Sequence, residues 1–146
     1  MIRLASLASA LLLASRVSAN TCPSLIWNDE FDGSALDSSK WTPQIGDGCD
    51  LGVDLCGWGN FELQWYKAEN AVVSGGTLKI LAKQESAPNN RQYTSARLRT
   101  FGNFDVDMTQ PHVRVEARMK VAKTQSLWSA FWMMPTPEVL WPTGKY

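Results

Sequence analysis

From Val113 to Val121 the chain alternates strictly: Val113, Val115, Ala117, Met119 and Val121 are interleaved with Arg114, Glu116, Arg118 and Lys120. Successive side chains of a strand point to opposite faces, so this stretch predicts a strand with one buried and one wet face. Such a strand needs neighbours in its sheet and a second layer over its apolar side. The run Leu127 to Met134 is continuously apolar and carries Trp128 and Trp132, which predicts a strand buried on both sides, ended by Pro135-Thr136-Pro137.

The rest of the chain carries the same punctuation. Leu25 to Phe31, Phe61 to Tyr66, Asn70 to Val73, Thr77 to Ala82 and Tyr93 to Thr100 are expected strands. Between them lie turn clusters and two longer loops, Pro43 to Gly59 and Lys83 to Arg91. Val73-Ser74-Gly75-Gly76-Thr77 reads as a hairpin, because glycine supplies the positive φ that tight turns need. Trp27 and Trp41 are assigned to the core. No internal repeat, heptad or separate linker is present. The fold class expected is all-β, one antiparallel sandwich or barrel. The most apolar strand, Leu127 to Met134, comes so late that its sheet neighbours are expected from later sequence. Alone, the chain would expose edges and an apolar face, so the sandwich is expected to be incomplete.

The first nineteen residues read differently. Arg3 precedes an apolar run from Leu4 to Ala14, and Val17-Ser18-Ala19 is a small-x-small cleavage site. This predicts a signal peptide over 1–19 and a domain over 20–146 that begins at Asn20 in a secreted, extracellular product. The rival reading, a membrane anchor, needs about 20 apolar residues, more than this run supplies. No membrane association is therefore expected after cleavage. Removing 1–19 takes away Arg3 and Arg16 and no acid, leaving twelve bases against fourteen acids. A slightly acidic chain is a poor partner for nucleic acid, which demands a basic surface.

An oxidising compartment permits disulfides. Cys49 and Cys56 lie close in sequence and are expected to form a local bridge, the alternative being free thiols; Cys22 is left over. One histidine, His112, and three scattered cysteines make no zinc site. Glu30 alone is too little for calcium.

Four segments carry more specific information: Trp27-Asn28-Asp29-Glu30-Phe31-Asp32-Gly33, Gly57-Trp58-Gly59-Asn60-Phe61-Glu62-Leu63-Gln64-Trp65-Tyr66, Tyr93-Thr94-Ser95-Ala96-Arg97-Leu98, and Leu127-Trp128-Ser129-Ala130-Phe131-Trp132-Met133-Met134-Pro135. In this order they resemble the family 16 glycoside hydrolases, especially the β-1,3-glucanase or laminarinase-like branch, from about Leu25 to Gly144. The resemblance implies a concanavalin A-like β-jelly roll whose concave sheet holds a glucan chain. It implies no cofactor and a β-glucan polysaccharide as partner. A pyranose has apolar faces and a rim of hydroxyls, so it needs flat aromatic platforms and directional polar groups. Trp128, Trp132, Trp58 and Trp65 can supply platforms, and Asn60, Glu62 and Arg97 hydrogen bonds. On the family pattern Asn60 and Arg97 match cleft positions, Glu62 a carboxylate near the cleft mouth, and Trp128 and Trp132 the tryptophan-rich strand lining it. Being four apart, the last two are expected on one strand face. Tryptophan in a sandwich is also ordinary core, and Arg97 could instead pair with an acid at the surface.

The catalytic centre is where the sequence departs from that family. Retaining glycosidases use two carboxyl groups about 5–5.5 Å apart. The family places them on one strand in a Glu-x-Asp-x-x-Glu pattern after a Trp-Pro-x-Gly segment. Trp141-Pro142-Thr143-Gly144 is present, followed by Lys145-Tyr146 and no such run. Asp105 and Asp107 share a face but read as a solvated loop, and Glu116 is expected to pair with Arg114 and Arg118. No catalytic residue is therefore identified. The expectation is a truncated glucanase of the retaining, endo-1,3- or 1,3/1,4-β type. The alternatives are a non-catalytic β-glucan-binding module and a non-functional remnant.

Overall fold

The computed structural model describes residues 25–100, 102–106 and 113–134. The expected leader over 1–19, Cys22, Asp107, His112 and the Trp141–Gly144 segment lie outside the described residues. Seven short strands follow one another: β1 (Thr42–Gln44), β2 (Gln64–Tyr66), β3 (Ala71–Val73), β4 (Leu78–Ile80), β5 (Lys83–Gln84), β6 (Tyr93–Ser95) and β7 (Arg97–Arg99). Short 3-10 turns span Cys49–Leu51, Val53–Gly59 and Ala68–Asn70. The regular structure is mostly strand, as expected, and no closed barrel forms among the described residues. No helix of the described residues is long and apolar enough to cross a membrane.

The strands make three small sheets: β1 with β7, β2-β6-β5, and β3 with β4. The β3–β4 hairpin has the expected turn. Gly75 and Gly76 sit at φ 60 and 66, and the Ser74 N–H donates to the Thr77 carbonyl at 3.0 Å. Two successive positive φ values match the twist of the flanking strands. β1 and β7 run antiparallel with Gln44 opposite Arg97. The expectation of a wholly antiparallel arrangement is corrected by β2 and β6, which pair in parallel with Trp65 opposite Thr94. A parallel pair needs a crossover of a dozen or more residues, and the intervening β3–β4 hairpin and β5 provide it. An isolated bridge between Gly46 and Tyr66 ties the end of β1 to β2.

The centre is largely polar. Trp58 and Val73 are the buried apolar residues, beside buried Asp47, Asn70 and Thr94. Buried polar groups must be paired. Asn70 Nδ2 donates to Thr94 Oγ1 at 2.8 Å, and that hydroxyl donates to Glu85 Oε1 at 2.6 Å. This bond, then that from Lys67, hold the Glu85 carboxyl below the usual carboxylate range. Asp47 accepts from Arg91 Nε at 2.9 Å, from Asn89 Nδ2 and from the Cys49 N–H, while its carbonyl takes the Gly57 and Trp58 N–H groups. Trp27 and Trp41 are half-buried rather than fully enclosed. They meet edge to face at 5.4 Å, with Phe104 stacked on Trp27 and Phe31 on Trp41.

Several expected strands are shorter or absent, each for a local reason. Leu25 to Phe31 forms no strand. Asp29 Oδ1 accepts the Phe31 N–H at 2.9 Å, its Oδ2 accepts the Trp41 indole N–H at 2.7 Å, and Phe31 turns to φ 55. A side-chain bond of this kind competes with a ladder. Phe61 at φ 59 delays β2 until Gln64. Tyr93 to Thr100 divides at Ala96, where the chain leaves β5 and β2 for β1.

The largest correction concerns Val113 to Val121 and Leu127 to Met134. Neither is hydrogen-bonded into a described sheet, and both are exposed along their length, with Val115 at 44% and Phe131 at 51%. Alternation specifies which face a strand would bury, not that a partner is present. β-propensity expresses fit to neighbouring strands, and no described strand pairs with either segment. Glu116 pairs with Arg114, one of its two expected partners.

Candidate functional site

Extended backbone puts every second side chain on one side. Approaching and along β2, that rule gathers Glu62, Gln64 and Tyr66, and the turn at Asn60 and Phe61 (φ 59) brings Asn60 beside them, while Phe61 and Leu63 project into solvent at 93% and 64% exposure. The four polar side chains form a chain of hydrogen bonds centred on the Glu62 carboxylate. Oε2 accepts from the Tyr66 hydroxyl at 2.6 Å and from Gln64 Nε2 at 2.8 Å, and Oε1 accepts from Asn60 Nδ2 at 3.3 Å. Gln64 Nε2 also donates to the Tyr66 hydroxyl at 2.8 Å. Burial, then the bond to Glu62, push the Tyr66 hydroxyl up to about 12.

A second wall comes from β1 and β7. Opposed residues of an antiparallel pair share a face. Arg97 Nε accordingly donates to Gln44 Oε1 at 2.7 Å. Its guanidinium lies 3.9 Å from Glu62 Oε1 and against two indoles, 4.3 Å from the Trp58 ring centre and 5.0 Å from that of Trp132. A guanidinium is weakly hydrated and planar, so aromatic faces stabilise it without removing its donors.

The loop between the walls depends on local chemistry. Cys49 and Cys56 are joined by a disulfide, which closes the turn that presents Trp58. Trp58 itself sits at φ 54 and donates its indole N–H to the Gly46 carbonyl at 3.3 Å. Gly57, at φ 65, is a position that a side chain does not fit: an added Cβ would lie 2.9 Å from the Glu62 backbone nitrogen. Arg91 completes the support, bonding Asp47 with Nε and the Glu62 carbonyl with its terminal nitrogen at 3.0 Å. Burial pushes the Asp47 carboxyl up, but the bonds from Arg91, Cys49 and Asn89 outweigh it and hold the group below its ordinary value.

Of the residues singled out by sequence, Asn60, Glu62, Arg97 and Trp132 come together, and Trp58 joins them. Trp128 is 83% exposed and takes no part in these contacts. Because 127–134 is not laddered into a sheet, a four-residue spacing does not place Trp128 and Trp132 on one strand face. Gln44, Gln64 and Tyr66 belong to the site without having been singled out by sequence. The alternation of polar side chains from Asn60 through Tyr66 is the signal that could have found the last two. Among the described residues, no group of three or more His, Cys, Asp or Glu side chains is placed to hold a metal ion.

The arrangement offers indole faces flanking a cation, with amide, hydroxyl and carboxylate groups in one row. That combination can hold a flat, hydroxyl-rimmed ligand. No family model matches the chain. It is 40% identical to the clotting factor G alpha subunit of Tachypleus tridentatus over 82% of this chain and 16% of that protein. It is 42% identical to a beta-glucanase of Rhodothermus marinus over 76% of this chain and 36% of the relative. Among solved structures, the laminarinase catalytic domain of Thermotoga maritima superposes with a TM-score of 0.53 at 41% identity, over 57% of this chain and 34% of that one. The chain thus spans well under half the length of these proteins.

Proposed function

The chain is related to the β-glucanases and laminarinases of the family 16 type and corresponds to part of their length, and from that premise we propose that it forms the polymer-holding wall of a β-1,3-glucan site. The observation that carries this reading is the row Asn60, Glu62, Gln64 and Tyr66 beside Arg97, with the Trp58 and Trp132 rings both against the guanidinium. Sugar C–H faces pack on indoles, and hydroxyls exchange hydrogen bonds with the amide, carboxylate and guanidinium groups. Asn60, Glu62, Arg97, Trp132 and, at a more solvent-exposed position, Trp128 are the substrate-binding residues in this reading.

The activity we assign to the protein of which this wall is part is endo-hydrolysis of β-1,3- or mixed β-1,3/1,4-glucan with retention. That reaction takes two carboxyl groups, one as nucleophile and one as acid and base. The work this reading assigns to the present residues is to bind and orient the polymer, through the polar row of β2 and the indoles about Arg97. We further propose a jelly-roll sandwich as the complete architecture and a secreted, extracellular product. The leader-like pattern of 1–19 and the Cys49–Cys56 bridge support that location.

The test is calorimetric titration of the chain with laminarihexaose, with thermal melts in parallel. Saturation at about a hundred times Kd raises stability by about 2.7 kcal/mol if the folded state alone binds. Absence of both heat and stabilisation overturns the glucan reading. Release of reducing ends from laminarin above a buffer control overturns the assignment of binding alone to this chain.

A further inference from the structure

We propose that Tyr66 is a positioning residue of the glucan site, its hydroxyl fixing the Glu62 carboxylate while its ring packs against the indole on which Arg97 rests. The inference depends on the glucan-binding reading above and deepens it. Tyr66 donates to Glu62 Oε2 at 2.6 Å and accepts from Gln64 Nε2 at 2.8 Å, and Gln64 Nε2 also reaches Glu62 Oε2 at 2.8 Å. The three side chains close a ring of hydrogen bonds. A carboxylate held at one oxygen by two donors cannot rotate without losing both. Its other oxygen, Oε1, faces Asn60 at 3.3 Å and Arg97 at 3.9 Å, and a carboxylate oxygen has lone pairs enough to take a sugar hydroxyl as well.

The aromatic half of the site depends on the same residue. The Tyr66 ring centre lies 5.9 Å from that of Trp58, and the Trp58 ring in turn carries the Arg97 guanidinium at 4.3 Å. Tyr66 is itself fixed by two backbone bonds to Gly46, at 2.9 and 3.0 Å, and the Gly46 carbonyl also receives the Trp58 indole N–H. One side chain therefore touches both the carboxylate and the stack. A shift of its hydroxyl or ring would move two ligand-facing groups at once. With its own proton retained to about 12, the hydroxyl stays a donor throughout the neutral range.

The experiment is Tyr66→Phe in the full chain, which keeps the ring and removes the hydroxyl. Laminarihexaose affinity is measured by calorimetry, folding by near-ultraviolet circular dichroism and thermal melts, and tyrosinate formation by absorbance at 295 nm. Affinity is expected to fall about five- to tenfold, with the folded spectrum preserved and the most alkaline tyrosinate step lost. Glu62→Gln is expected to bring that step back toward the ordinary value. If wild type binds and Tyr66→Phe binds within twofold of it, the positioning role is overturned while the glucan reading stands. A Tyr66→Phe variant that melts at a lower temperature but binds with unchanged affinity overturns the role in the same way. If wild type does not bind, the glucan reading falls and this inference with it. Should Tyr66→Phe fail to fold, Gln64→Leu breaks the same ring from its other donor. Wild-type affinity in a folded Gln64→Leu variant overturns the proposal.

Discussion

Replacing Asp47 with asparagine keeps the shape of the side chain and removes its charge. In the native chain the carboxylate is 2% exposed and accepts from Arg91 Nε at 2.9 Å, Asn89 Nδ2 at 3.2 Å and the Cys49 N–H at 3.2 Å. Asp47→Asn can preserve the last of these. It sets an amide N–H₂ against two donors and leaves the Arg91 cation with the Glu62 carbonyl alone. Removing one partner of a fully buried ion pair costs about 3–5 kcal/mol. Arg91 is 21% exposed and can turn toward water, so screening lowers the expectation to about 2 kcal/mol. With a urea m-value near 1–2 kcal/mol/M for a chain of this size, the midpoint should fall by about 1–2 M at pH 7.

The pH dependence gives a second, independent reading of the same pair. The folded Asp47 carboxyl is held below its ordinary value of 3.8. Its contribution is therefore fully present above that value and is lost as pH falls through the lower, folded value. The gap between wild type and Asp47→Asn should be constant from pH 5 to 8 and close progressively below about pH 4. Urea melts followed by tryptophan emission at both ends of that range measure it. A midpoint unchanged at pH 7, or a gap that persists undiminished in acid, would refute the argument that this buried pair anchors the loop.

Two further outcomes follow from the same loop. Gly57→Ala places a Cβ 2.9 Å from the Glu62 nitrogen at a backbone φ of 65, and should lower stability by about 2 kcal/mol in urea melts while weakening laminarihexaose binding. Cys49→Ser with Cys56→Ser opens a bridge of sequence separation 7 and should cost about 2 kcal/mol on the chain-entropy account, with reduction of wild type by dithiothreitol producing the same shift.

What was legible in the sequence was what local chemistry decides. The β3–β4 hairpin was visible because Gly75 and Gly76 alone dictate its turn. Asn60, Glu62 and Arg97 were found through a family resemblance carried by contiguous motifs. Gln64 and Tyr66 obey the same alternation as Asn60 and Glu62, but a neutral amide and a phenol announce no chemistry until a carboxylate is seen beside them. Gln44 was not legible: it joins the site through its register with Arg97, set 53 residues away. The parallel pairing of β2 with β6 is likewise a property of two distant segments. For Val113 to Val121 the alternation is present in the sequence, but burial of its apolar face needs a neighbour, and that neighbour is not specified by the strand itself.

The pairing of Gln44 with Arg97 also bears on the order in which the molecule assembles. The β3–β4 turn closes over a few residues and can form early, whereas β1 meets β7 only after more than fifty residues of intervening chain are gathered in. Loop closure grows costlier with length, and non-local contacts are rewarded late. Arg97 reaches its place against Gln44 only when that long closure succeeds. A nascent chain would thus carry a formed hairpin well before it carried a competent site, and partial opening would disable recognition before it dissolved the fold.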